Sequence, residues 1–261
     1  CALGFESARG VLLGEEGRGL AQMFVMITNM RMSVGAMGLG IASGAADIAL
    51  AYAHERKQGG RGPSPVAIIE HADVQRQLLS MHARVEMLRG LIYFAAVHAD
   101  LGRCDPAEAT RQDSFALTQW LLPIVKTLGG ETAFDVASDA VQVLGGAGYT
   151  EEWPVEQALR DARVLPIFEG TTGIQALDLL HRRLWKDKGA GLAAFARILR
   201  NDAAELPQHL AQEVLGALAL LESTAATFAP LENQPEEANP GATAFLNLAG
   251  LNALALVATR L

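Results

Sequence analysis

The stretch Arg160-Asp161-Ala162-Arg163-Val164-Leu165-Pro166-Ile167-Phe168-Glu169-Gly170-Thr171-Thr172-Gly173-Ile174-Gln175 places one carboxylate, Glu169, after an apolar run closed by Pro166 and just before a helix start. Thr172 and Gln175 have the spacing of a capping box, and Ile174, Leu177, Asp178, Leu180, His181 and Leu184 continue with helical periodicity. Apolar neighbours disfavour a charged carboxylate, whereas the positive end of a helix dipole favours it. Such a position suits a base that holds a proton briefly. It equally suits an ordinary acidic residue beside a helix start.

Outward from this stretch, small and apolar residues dominate. Hydrophobic residues make up 50% of the 261 positions and charged residues 19%, which excludes a disordered chain. Twenty-six glycines and many alanines suit closely packed helices, and β-branched and aromatic residues are too sparse for a large sheet. A net charge of -8 argues against a nucleic-acid partner or an anionic membrane surface. Two cysteines, Cys1 and Cys104, supply neither a disulfide framework nor a metal cluster, which fits a cytoplasmic chain.

The periodicity predicts helices over residues 19–57, 72–101, 107–127 and 131–144, the third kinked by Pro123 and followed by Gly129-Gly130. Met23, Phe24, Ile27, Met30, Val34, Met37 and Leu39 form the expected apolar face of the first, and its small residues suit close approach of another helix. Asp105 and Pro106 are the expected start of the third. Val11-Leu12-Leu13 is read as a last strand remnant before a linker, which makes residues 1–18 the end of a β domain. Past Gly189, two amphipathic helices flank Pro207, residues 230–240 form an acidic loop, and the uncharged residues 241–259 pack as a further helix, not a membrane span. The fold class is therefore all-α: a four-helix up-and-down bundle over residues 19–186 and an additional C-terminal helical segment over residues 187–261.

Several blocks in order carry a resemblance: Val141-Gln142-Val143-Leu144-Gly145-Gly146-Ala147-Gly148-Tyr149-Thr150, Trp153-Pro154-Val155-Glu156, Arg160-Asp161-Ala162-Arg163 and Phe168-Glu169-Gly170-Thr171-Thr172-Gly173-Ile174-Gln175. Together with Ala51-Tyr52-Ala53-His54-Glu55-Arg56-Lys57, they resemble the C-terminal helical domain of the acyl-CoA dehydrogenases, and residues 67–74, with Ile68-Ile69-Glu70-His71-Ala72-Asp73, resemble a bacterial branch of that family with an extra C-terminal helical segment. The resemblance implies FAD-dependent α,β-dehydrogenation of an acyl-CoA thioester, with Glu169 as the base that takes the α-proton. It implies FAD contacts at Arg56, Gln142, Gly146 and Thr171, the first three reaching the flavin of a neighbouring subunit. It also puts Arg31 and Gly170 beside the substrate, although a buried Arg31 satisfied by a carboxylate is an equally good reading of that residue. Met30 stands where some branches carry their base, and a thioether takes no proton. Gln58, Gly59 and Gly173 depart from the family pattern of Thr-Phe and Gln at these positions. The implied partners are an acyl-CoA, an electron-transferring flavoprotein or similar acceptor, and further copies of the chain as a homodimer or tetramer. A helical assembly module, or a flavoprotein fragment without turnover, is the alternative.

Overall fold

Long runs of helix formers without strand-like alternation produce long helices. In a computed structural model that describes residues 2–260, apart from the side chains of Thr28 and Asn29, three of them carry the fold: α1 (Gly19–Glu55), α2 (Ala72–Cys104) and α3 (Glu108–Leu144). Two short helices follow, α4 (Gly146–Tyr149) and α5 (Val155–Val164). Next comes α6 (Thr172–Leu177), which runs on as a π-helix over Asp178–Lys186. The tail holds α7 (Ala190–Ala203), α8 (Gln208–Phe228), α9 (Pro235–Ala238) and α10 (Ala242–Ala258). Cys1 lies outside the described residues, and Cys104 is a free, exposed thiol.

α3 is the axis. It is one helix where two are predicted, running through Pro123 and Gly129-Gly130 without interruption. An interior proline costs about 3 kcal/mol. Here Trp120, Leu121, Leu122, Ile124 and Val125 around it are all buried, and the packing energy of that wall outweighs the lost hydrogen bond. The predicted N-terminus of α3 also shifts. The Asp105 carboxylate accepts from the Ala107 N–H at 2.8 Å, so it closes a turn before the helix, which begins at Glu108.

The face that α1 buries is not the methionine-rich one. Val34, Leu39, Ala42, Ala45, Ala49 and Ala53 are buried, whereas Met23 and Met37 are about half exposed. The small residues bring α1 against α3 at backbone distance. A Cβ on Gly129 would stand 2.6 Å from the Gly35 Cα, and one on Gly38 would collide with the Gly129 carbonyl. Val11, Leu12 and Leu13 form no strand and lie exposed, because the described residues offer no second strand with which to pair.

The tail packs on this bundle. Phe245 of α10 lies 6.1 Å from the Trp120 ring of α3 and 5.5 Å from that of Phe228, both edge-on. A continuous hydrophobic cluster joins α1, α2, α3, the π-helix, α7, α8 and α10. By length and composition alone, Gly19–Glu55, Gln208–Asn233 and Pro235–Ala258 are each apolar enough to cross a membrane. Within the last of these, α10 buries Phe245, Leu246, Ala249, Ala253, Leu256 and Val257, and Asn252 donates to the Leu248 carbonyl at 3.0 Å.

Candidate active site

α5 ends at Val164, and residues 165–169 turn back so that Phe168 lies against a small core of Val34, Ala133, Ala162 and Leu165. The next residue then faces a wall already filled by apolar atoms. The backbone answers by reversing: Glu169 sits at φ 55° and Gly170 at φ 92°, both left-handed. Glycine is required at 170, because a Cβ there would lie 2.8 Å from the Gln175 amide nitrogen and 3.1 Å from an Ile174 methyl.

The helix cap is one residue earlier than the capping-box spacing predicts. Thr171 is the N-cap, its hydroxyl accepting from the Ile174 N–H at 3.4 Å, and Thr172 is the first helical residue. The Thr172 hydroxyl donates instead to Glu131 of α3 at 2.7 Å. Gln175 is fully buried and turns its amide back to the Glu169 and Gly170 carbonyls at 3.1 and 3.2 Å. The result is a rigid turn in which the half-buried Glu169 carboxylate forms no hydrogen bond or ion pair, and the Glu169 and Gly170 N–H groups donate to no acceptor, among the described residues.

Beneath the turn lies a residue that sequence reasoning missed. Lys126 of α3 is fully buried and donates from Nζ to the Gly170 carbonyl at 2.7 Å. Burial first and the Arg31 charge second push its ammonium down to about 8, with Glu131 and Glu169 opposing the fall. The signal in the sequence is a single charge inside the apolar run Trp120-Leu121-Leu122-Pro123-Ile124-Val125-Lys126-Thr127-Leu128.

Arg31 is buried as well and donates to the Asp178 carboxylate at 2.7 Å; Arg182 and Arg183 approach the same carboxylate at 3.1 and 3.5 Å. The carboxylate that pairs with Arg31 is thus the first residue of the π-helix, and the Arg31 Nε is left without a partner among the described residues. Arg31 and Glu169 both act electrostatically on Lys126, in opposite directions.

Arg56, Gln142 and Gly146 form a separate group. Arg56 and Gly146 line one groove of about 690 Å³ together with Tyr52, His71, Val143 and Ala147, and Gln142 is exposed one helical turn before Gly146. Hydrogen bonds from Ile68 N–H to the Arg56 carbonyl at 2.8 Å and from Gln58 N–H to the Val66 carbonyl at 2.9 Å fold residues 56–68 into a closed loop that fixes this edge. The Arg56 guanidinium makes no ion pair among the described residues. Thr171 lines a second groove of about 500 Å³ with Glu131, Asp135, Arg163 and Gly173. The two grooves share no residue, and at 1.5 Å per residue about 12 Å of α3 separates Asp135 of one from Val143 of the other.

Residues 17–184 match the family model described as acyl-CoA dehydrogenase, C-terminal domain. Over 94% of its length the chain is 40% identical to the 3-methylmercaptopropionyl-CoA dehydrogenase of Ruegeria pomeroyi, of which it covers 44%. Its fold is similar to that of Caenorhabditis elegans ACDH-11 in complex with C11-CoA, with TM-score 0.79 over 95% of this chain and 42% of that one at 22% identity. It is also similar to the butyryl-CoA dehydrogenase of Megasphaera elsdenii, with TM-score 0.53 and 31% identity over 64% of this chain and 39% of that one. The chain thus spans less than half the length of these relatives. Block order, helical architecture and matched domain agree, and the chain belongs to the acyl-CoA dehydrogenase family through that family's C-terminal domain.

Proposed function

We propose that the whole protein to which these residues belong dehydrogenates an acyl-CoA thioester to the 2-enoyl-CoA, with Glu169 as the base. The observation that carries this reading is the turn itself: a half-buried carboxylate without an ion pair, beside an N–H that has no acceptor, among the described residues. A proton alpha to a thioester leaves only if charge building on the carbonyl oxygen is stabilised, and a backbone N–H fixed next to the base supplies that stabilisation without reorganising. Glu169 then holds the α-proton on its carboxylate, and the apolar packing of Phe168 keeps water from competing for it.

FAD fits the surface that Arg56 and Gly146 build. Side chains added at Gly145 or Gly146 would meet no atom within 4 Å, so both glycines leave open space over the groove, and the unpaired Arg56 guanidinium offers paired donors of the kind that grip phosphate. Held by Arg56 and Gly146 of one chain and Thr171 of another, FAD would supply acceptance of the β-hydrogen as hydride. Because Arg56 and Thr171 line different grooves, one chain serves two flavins, which accords with a homodimer or tetramer. Electrons then leave to an electron-transferring flavoprotein or a similar acceptor.

The test is Glu169→Gln in the full-length, flavin-loaded protein. Acyl-CoA binding is expected to persist while flavin bleaching slows by about 10²-fold or more. Wild-type bleaching in this variant removes Glu169 from the reaction. A panel of acyl-CoA thioesters, including the 3-methylmercaptopropionyl thioester in the name of the Ruegeria relative, then sorts the substrates by rate of flavin reduction.

A further inference from the structure

The base turn holds two consecutive left-handed residues, Glu169 and Gly170. A residue with a side chain stays in that region only where its surroundings over-determine it. The Gln175 amide donates one N–H to each of the two carbonyls of the turn, at 3.1 and 3.2 Å. The shortest contact to the turn is that of Lys126 to the Gly170 carbonyl, 2.7 Å, from the middle of α3.

We propose that Lys126 is a positioning residue for Glu169: its ammonium locks the Glu169-Gly170 turn and so aims the carboxylate at the reacting carbon. The proposal rests on reading Glu169 as the base. Its physical basis is a mismatch. Lys126 lies inside an apolar run, is fully buried and forms no ion pair among the described residues. An unpaired ammonium in such a place costs stability that a methionine of similar length would not. Stability alone therefore does not explain a lysine here, whereas gripping a carbonyl does, since a thioether donates no hydrogen bond. Arg31 cannot replace it, being held by Asp178 at 2.7 Å.

The experiment compares wild type, Lys126→Met and, as a nearby control, Thr127→Val in the full-length, flavin-loaded protein. Thr127 is buried on the same helix with an unpartnered hydroxyl. Lys126→Met is expected to slow flavin reduction by about 10- to 100-fold, with the acyl-CoA Kd within about twofold of wild type. Amide hydrogen exchange over residues 165–177 is expected to quicken by about tenfold while residues 81–95 of α2 stay protected. Thr127→Val is expected to change neither. Reduction and exchange both at wild-type values in Lys126→Met overturn the proposal, as does a loss of protection spread evenly over the bundle. If Lys126→Met does not fold, Lys126→Gln, which keeps a shorter donor in the same space, is judged by the same two readouts. A wild-type protein that carries FAD yet is reduced by no acyl-CoA overturns the reading of Glu169 as base, and the exchange comparison then decides the hold of Lys126 on the turn.

Discussion

Glycine 170 and lysine 126 set the terms at the residue scale. Gly170→Ala forces a side chain into a left-handed position 2.8 Å from the Gln175 amide, and a stability loss of about 2 kcal/mol is expected from strain and displacement together, read as a lower urea midpoint. Lys126 gives the fold a signature in alkali. Its ammonium titrates at about 8 in the folded chain against 10.5 for the free group, with Arg31, Glu131 and Glu169 as the charged groups around it. Between those values the unfolded chain binds more protons, so raising the pH stabilises the fold through this group. The stability of wild type relative to Lys126→Met is therefore expected to rise from pH 8 to pH 10; a gap that stays flat shows that Lys126 is solvated. The expectations for Glu169 and Gly170 rest on a motif that the sequence displays. Lys126 was not legible, because a lone lysine in a helix reads as an outward-facing charge until the partner carbonyl, 44 positions away, is known.

At the scale of elements, the close crossing of α1 and α3 decides the packing. Gly38→Val would drive a branched side chain into the Gly129 backbone and is expected to cost about 3 kcal/mol, measured by urea unfolding. That the small residues of α1 serve helix approach was readable from composition, but which face they occupy was not. Hydrophobicity alone points to the methionines, and a close crossing selects for lack of size instead. The break expected near Gly129-Gly130 is absent for a related reason. Those glycines answer to neighbours, Gly35 on one side and the Leu165-Pro166 backbone on the other, and not to a helix end.

Across the whole molecule, the tail and the bundle share one interior. Phe245 is fully buried between Trp120 and Phe228, and Phe245→Ala is expected to cost about 4 kcal/mol. If the two regions unfold together, calorimetry shows one transition that shifts as a unit; two transitions with only one displaced show that they unfold separately. Periodicity located α7, α8 and α10, but the seat of α10 against α3 depends on pairings far apart in the chain, which local pattern does not encode.

The wide winding over Asp178–Lys186 has one more consequence. There Asp187 N–H reaches the Arg182 carbonyl, five residues back, His181 meets Asn239 at 2.7 Å, and the Trp185 indole meets the Phe228 carbonyl at 3.0 Å. Removing a single codon from this stretch would let it relax to ordinary pitch and swing everything after it by about 100°. Chain length at this joint is then as constrained as its buried side chains, because a one-residue indel unseats the helices that follow it.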